Sequence, residues 1–143
     1  MNKQKYVVGL MFSLNKQTVL LIRKNKPLWQ LGLLNGVGGK VEEGETPAQC
    51  MVREFKEEVG LNTEEEQWTY FAKLCGTNSE IYFYKTYTDS LVNAVQLESE
   101  IPMLIYIEDL SFIEHVPNLK FLIEMALLET KEFFKIDCYE NIS

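Results

Sequence analysis

The chain has 143 residues, 46% hydrophobic and 24% charged, a composition that suits one globular domain, 1–143, with a single real core. Its formal net charge of -7 excludes a nucleic-acid surface or an anionic membrane as the main partner. It does not exclude a small anionic ligand, because a bound cation reverses the local sign. Cys50, Cys75 and Cys138 form no C-x-x-C pair, so neither a disulfide frame nor a zinc site is expected, and reduced thiols in a cytoplasmic protein are. The N-terminus lacks the apolar run of a signal peptide, and no stretch is long and apolar enough to span a membrane.

Residues 5–13 and 18–24 are rich in Val, Leu, Ile and aromatics and flank Leu14-Asn15-Lys16-Gln17, which predicts two strands and a short turn. Arg23 and Lys24 close the second strand with positive charge, either as a solvated strand end or as a phosphate contact. Residues 25–39, with Pro27 and the glycines 32, 36, 38 and 39, have the composition of a loop. Glycine permits the close backbone approach that a bound phosphate or metal requires.

A short amphipathic helix follows. Thr46 suits its N-cap, Pro47 its first position, and Gly60 a left-handed turn at its end. Ala48, Met51, Val52, Phe55 and Val59 share one face, and Glu54, Glu57 and Glu58 the opposite side, at spacings of three and four. Carboxylates that close repel each other, so a plain solvated face gains nothing from the arrangement. A hard divalent cation such as Mg²⁺ or Mn²⁺, which prefers oxygen ligands, reverses the sign.

Beyond the helix, Glu64-Glu65-Glu66 reads as a solvated turn, and residues 68–74 and 80–88 as a strand pair around Gly76-Thr77-Asn78-Ser79. Tyr82, Tyr84 and Thr86 alternate with Ile81, Phe83 and Lys85, the pattern of a two-faced sheet. Residues 91–100 read as a mobile loop, and 101–107 as a buried strand with Pro102 at its beginning. Pro117 opens a helix expected to run to about Lys131. It has one apolar stripe of Leu119, Leu122, Ile123 and Ala126 and a second of Phe121, Met125 and Leu128. Two stripes require cover on two sides, from the sheet and from the tail or a partner subunit. His115, the single histidine, reads as structural, and Phe134, Ile136 and Cys138 alternate as in an edge strand.

The stretch from Gly39 to Leu61 resembles the signature of the Nudix hydrolase family, G-x5-E-x7-R-E-U-x-E-E-x-G-U, where U is a bulky apolar residue. Gly39, Glu45, Arg53, Glu54, Glu57, Glu58 and Gly60 fill its fixed positions, with Phe55 and Leu61 at the apolar ones. The resemblance implies an α/β (α+β) fold, a Nudix-type α/β/α sandwich with a mixed β-sheet between helices. It also implies metal-dependent attack of water on a diphosphate linkage. The implied ligands of Mg²⁺ or Mn²⁺ are Glu54, Glu57, Glu58 and the Gly38 carbonyl, with Glu100, chosen over Glu98, as a further carboxylate. Arg53 would orient Glu57 or its neighbours, and Glu45 would brace the loop against the helix. Crowding of this kind leaves one glutamate basic enough to take a proton.

Leu34-Asn35-Gly36-Val37-Gly38-Gly39-Lys40-Val41 resembles the corresponding stretch of the MutT-type, oxidised-purine nucleoside triphosphatases, where the asparagine hydrogen-bonds the base. By that resemblance Asn35 and Asn118 read a purine, and Arg23 and Lys40 complete the substrate-binding set. Val116 and Leu119 depart from the pattern, standing where the animal enzymes carry a stacking aromatic residue and an aspartate. The proline or tyrosine that marks the ADP-ribose and dinucleoside-polyphosphate branches is replaced by Cys75-Gly76-Thr77-Asn78. The implied reaction cuts a nucleoside triphosphate, a purine such as 8-oxo-dGTP, to monophosphate and pyrophosphate. Two alternatives stay open: a pyrophosphatase acting on a nucleotide sugar, ADP-ribose or a dinucleotide, and a non-catalytic nucleotide sensor. The implied partner is a small nucleotide, with no nucleic acid and no membrane, and the protein a monomer or homodimer.

Overall fold

The structure is a computed structural model that describes residues 3–130 and 132–137. The expected helix end at Lys131 and the tail position Cys138 lie outside the described residues. The central strand, β1 (Gln4–Phe12), is apolar on both faces: Leu10 and Phe12 enter one core, Val7 and Met11 the other. It pairs antiparallel with β2 (Thr18–Arg23) and β4 (Val37–Lys40), and parallel with β6 (Ser79–Tyr87). β3 (Leu34–Asn35) pairs with β2, β5 (Thr69–Cys75) runs antiparallel to β6, β7 (Ile101–Tyr106) pairs with β2, and β8 (Phe134–Asp137) adds parallel to β5. The sheet is mixed, in the order β3-β2-β1-β6-β5-β8.

Helix α1 (Pro47–Val59) covers one face, burying Met51, Phe55 and Val59 against Val7, Met11, Leu20 and Trp68. Helix α2 (Leu119–Leu127) covers the other, with its stripe of Leu119, Leu122, Ile123 and Ala126 on Leu10, Phe12 and Phe83. The result is the expected helix–sheet–helix sandwich. Among the described residues no helix is long and apolar enough to cross a membrane.

Four local expectations are corrected. Residues 25–39 are not one loop but carry a 3₁₀ turn (Leu28–Gln30), β3 and β4. Gly38 of β4 serves close strand pairing, since a Cβ there would run into the Val7 carbonyl of β1. The segment 91–100 is strapped down rather than loose. Leu91 is buried, Val95 N donates to the Val59 carbonyl (3.0 Å), and Leu97 N donates to the Glu58 carbonyl (3.3 Å). Carbonyls at a helix end lack partners within the helix, and those of α1 find them in this strap.

β7 is mostly exposed, with Ile105 its one buried residue, because it pairs with β2 alone. α2 is shorter than expected at both ends, starting two residues after Pro117 and ending at Leu127. Lys85 Nζ and Tyr87 Oη both donate to the Ala126 carbonyl (2.6 and 3.0 Å), fixing the helix end on the sheet. Of its second stripe, Met125 meets Ile136 of β8, whereas Phe121 and Leu128 stay exposed.

Candidate functional site

The site is built on α1, whose start is set by a capping box. Thr46 Oγ1 accepts from Gln49 N (3.2 Å), and Gln49 Oε1 accepts from Thr46 N (2.9 Å). Gly60 ends the helix in the left-handed region, at φ 70°. With Met51, Phe55 and Val59 locked into the core, the helix phase turns Glu54 and Glu58 into the flank, each only 9% exposed. Glu57 remains half exposed.

Arg53 organises the entrance. Its Nε and Nη2 donate to the two Glu45 oxygens (2.7 and 3.0 Å), a bidentate pair that holds the Glu45 carboxyl down at about 2. Nη1 donates to Glu54 Oε1 (3.0 Å) and Glu57 Oε2 (3.1 Å), and Nη2 also reaches the Lys40 carbonyl (3.1 Å). One guanidinium therefore ties the end of β4, the loop before α1 and two helix carboxylates into one unit. The sequence pattern assigns Arg53 to Glu57 or its neighbours; the shortest contact is to Glu45.

Burial pushes the Glu54 carboxyl up to about 7, against the pull of Arg53. Burial, reinforced by the Glu54 charge, pushes Glu58 up to about 8, against the pull of Lys24. Glu58 Oε2 is buried and has no hydrogen-bond partner among the described residues. Such an atom in a native interior costs free energy unless something else meets it. Gly39 lies against this flank, where a Cβ would run into the Glu54 carboxylate. Glu100, 7% exposed, accepts from Lys24 Nζ (3.2 Å) and from Asn25 N (2.9 Å). Glu100 and Glu98 both act on the charge of Glu58.

These residues fit a hard cation: two buried carboxylates, one orphaned oxygen, and a glycine strand too close to admit a side chain. Among the described residues, no three acidic, histidine or cysteine side chains already stand as a ready ligand set. Charge explains this, because like carboxylates stay apart until a cation neutralises them, and here Arg53 holds Glu57 and Lys24 holds Glu100.

The residues expected at the substrate are placed less uniformly. Arg23 folds back into the protein, donating to the Gly32 carbonyl (3.0 Å) and meeting Met103 Sδ (3.5 Å). Lys40 is exposed at the end of β4. Asn35 Oδ1 accepts from Gly36 N (2.8 Å) and its Nδ2 donates to Gln30 Oε1 (3.4 Å), which fixes the orientation of the amide. Asn118 stands at the N-cap position of α2 in the left-handed region, φ 75°, yet its side chain makes no capping bond. It lines a groove of about 190 Å³ with Leu74, Phe83, Met125 and Ile136. Leu34 N donates to the Glu114 carbonyl (3.1 Å) and Val116 N to the Leu34 carbonyl (3.0 Å), which stitches the segment before α2 to the strand that carries Asn35.

Lys24, Asn25 and Gln30 carry site contacts that the sequence pattern does not signal. In the sequence Lys24 reads as a solvated strand end or a phosphate contact, and its acidic partner lies 76 residues away.

A family model described as the NUDIX domain matches residues 3–113. The 8-oxo-dGTP diphosphatase of Escherichia coli (strain K12) is 35% identical over 74 residues, 52% of this chain and 55% of that protein. The chain thus spans about half the length of the curated relative it matches. A MutT structure from work on Aliivibrio salmonicida and Vibrio cholerae superposes with a TM-score of 0.74 at 22% identity, covering 89% of this chain and 100% of that one. The NUDIX domain of Shewanella oneidensis NrtR, complexed with ADP ribose, also gives 0.74, at 16% identity over 88% of this chain and 87% of its own.

Proposed function

The chain belongs to the NUDIX family, and on that premise we propose that it is a Mg²⁺- or Mn²⁺-dependent hydrolase. Its substrate is a purine nucleoside triphosphate, cut to monophosphate and pyrophosphate. The observation that carries this reading is the buried flank of α1, with Glu54 and Glu58 beside Gly39 and Glu58 Oε2 lacking a partner. The relative that acts on 8-oxo-dGTP supports the substrate class.

Glu54, Glu57 and Glu58 would hold the cation, with the Gly38 carbonyl and Glu100 as further oxygen donors. When bound, the cation lowers the pKa of a water and neutralises charge on the phosphate oxygens. The chain's own residues do the remainder. Arg53 fixes Glu54 and Glu57 against the loop, so neither must be ordered at the moment of reaction. Glu58, buried with its Oε2 unpartnered, offers that oxygen to the cation. The exposed Lys40, at the end of β4, is the cation offered to the phosphate chain. Asn35 keeps one Nδ2 hydrogen and one Oδ1 lone pair for a base edge, and Asn118, free of capping, offers the same.

A second reading is a nucleoside diphosphate derivative, favoured by the equal fold similarity to a domain that holds ADP ribose. The two separate in a Mg²⁺ assay across purine and pyrimidine triphosphates, ADP-ribose and nucleotide sugars. A purine triphosphate is expected to have the highest kcat/KM. Asn118→Ala is expected to compress the preference among bases by about 1–3 kcal/mol while pyrophosphate release continues. An unchanged base ranking in Asn118→Ala, or a nucleotide sugar or ADP-ribose at the top of the ranking, overturns the triphosphate reading.

A further inference from the structure

Among the described residues, Lys24 is the cation paired with the buried carboxylate on the strap side of the site. Its backbone is held at both ends, N donating to the Leu33 carbonyl and O accepting from Gly32 N, both at 2.8 Å, so its side chain leaves from a fixed point. Its Nζ stands 3.2 Å from Glu100 Oε1, with the two side chains 15% and 7% exposed. Asn25 N holds the other Glu100 oxygen at 2.9 Å, and Asn25 Nδ2 donates to Ser99 Oγ at 2.6 Å. Leu97 N in turn donates to the Glu58 carbonyl. The end of β2 is thus tied to the strap at Glu100 and Ser99, and the strap to α1 at Glu58. Lys24 also opposes the charge of the Glu54–Glu58 pair, since its field pulls against the upward shift at Glu58.

We propose that Lys24 is a resident counter-cation that keeps the metal-side carboxylates and the 91–100 strap in place when no divalent ion is bound, and lowers the affinity for that ion in return. A buried carboxylate without a partner is strongly destabilising, and one ammonium at contact offsets part of that cost. The same fixed charge repels an incoming divalent cation, which then binds less tightly than the carboxylates alone would hold it. The site is therefore organised before the metal arrives, and the metal stays exchangeable. The inference rests on the reading of the α1 glutamates as metal ligands.

The test uses the full chain and Mn²⁺ itself, titrated calorimetrically, with melting temperatures in excess chelator. Lys24→Met is expected to lower the chelated melting temperature and to bind Mn²⁺ about tenfold more tightly, which is about 1.4 kcal/mol. Lys24→Arg, which keeps the charge, is expected to match the parent in both measurements. Lys24→Met/Glu100→Gln removes both charges and is expected to regain the chelated stability that the single variant loses. Mn²⁺ affinity unchanged or weaker in Lys24→Met overturns the inference, as does a double variant no more stable in chelator than the single one. Should Lys24→Met not fold, a folded double variant supports the counter-charge role and an unfolded one refutes it. A parent that binds no Mn²⁺ is a different outcome, and it refutes the metal reading of the glutamates.

Discussion

Glu58 shows how a residue's identity and its environment part company. Its place in a three-glutamate pattern is visible in the sequence, but its burial arises only in the folded molecule, where a strap from beyond residue 90 bonds its backbone carbonyl. The orphaned Oε2 and the proton affinity raised to about 8 follow from that burial. Lys24 and Glu100 are harder still to pair, because nothing local links two residues 76 apart. The raised groups make a prediction for the metal-free protein. Glu54 and Glu58 bind protons more tightly folded, near 7 and 8, than unfolded, near 4.5. Between those values the native state holds more protons than the unfolded one, so stability falls as pH rises. The melting temperature of the chelated protein is expected to decline relative to Glu58→Gln from about pH 5 to about pH 9. At the upper end the variant is expected to stand about 3–6 °C above the parent. A difference between the two that does not change with pH would contradict the burial account.

At the scale of elements, α1 is legible almost whole. Its cap, first-position proline and left-handed glycine end are local signals, and each appears where the sequence places it. Its neighbour β4 is not legible, because Val37-Gly38-Gly39-Lys40 carries the composition of a loop and becomes a strand by lying against β1. β7 misleads in the opposite way. Its apolar run suggests burial, whereas its position beside β2 alone leaves Ile101, Leu104 and Tyr106 in solvent. The two glycines of β4 serve different ends and separate by mutation. A Cβ at Gly38 meets backbone, the Val7 carbonyl, which cannot move without breaking strand pairing. A Cβ at Gly39 meets the end of a side chain, the Glu54 carboxylate, which can move. Gly38→Ala is thus expected to lose about 2–4 kcal/mol of stability by denaturant unfolding, the range of overpacked or strained sites. Gly39→Ala is expected to keep most of its stability and lose Mn²⁺ affinity about tenfold or more, since it displaces a proposed ligand. The reverse order of effects would show that the flank of Glu54 is not where the cation sits.

Taken whole, the molecule sets a mixed sheet between α1 and α2, and the chain order of its strands is not their spatial order. β1 lies parallel to β6, with Gln4 opposite Ser79. Pairings of that range leave no trace in local composition. The signature resemblance, rather than periodicity, is what points to the sandwich. The same architecture stitches the segment before α2, which carries Asn118, to β3 through Leu34 and Val116. In the proposed function this arrangement performs metal-dependent hydrolysis of a nucleoside triphosphate, with the α1 glutamates as its working groups. Phosphorus NMR of the products formed from a purine triphosphate and Mg²⁺ tests it most directly, with parent, Glu57→Gln and Glu58→Gln compared at matched melting temperature. The expected products are nucleoside monophosphate and pyrophosphate, formed about 10²-fold or more slowly by the variants and not at all in excess chelator. Orthophosphate as the released product, or parent-like rates in both variants, would contradict it.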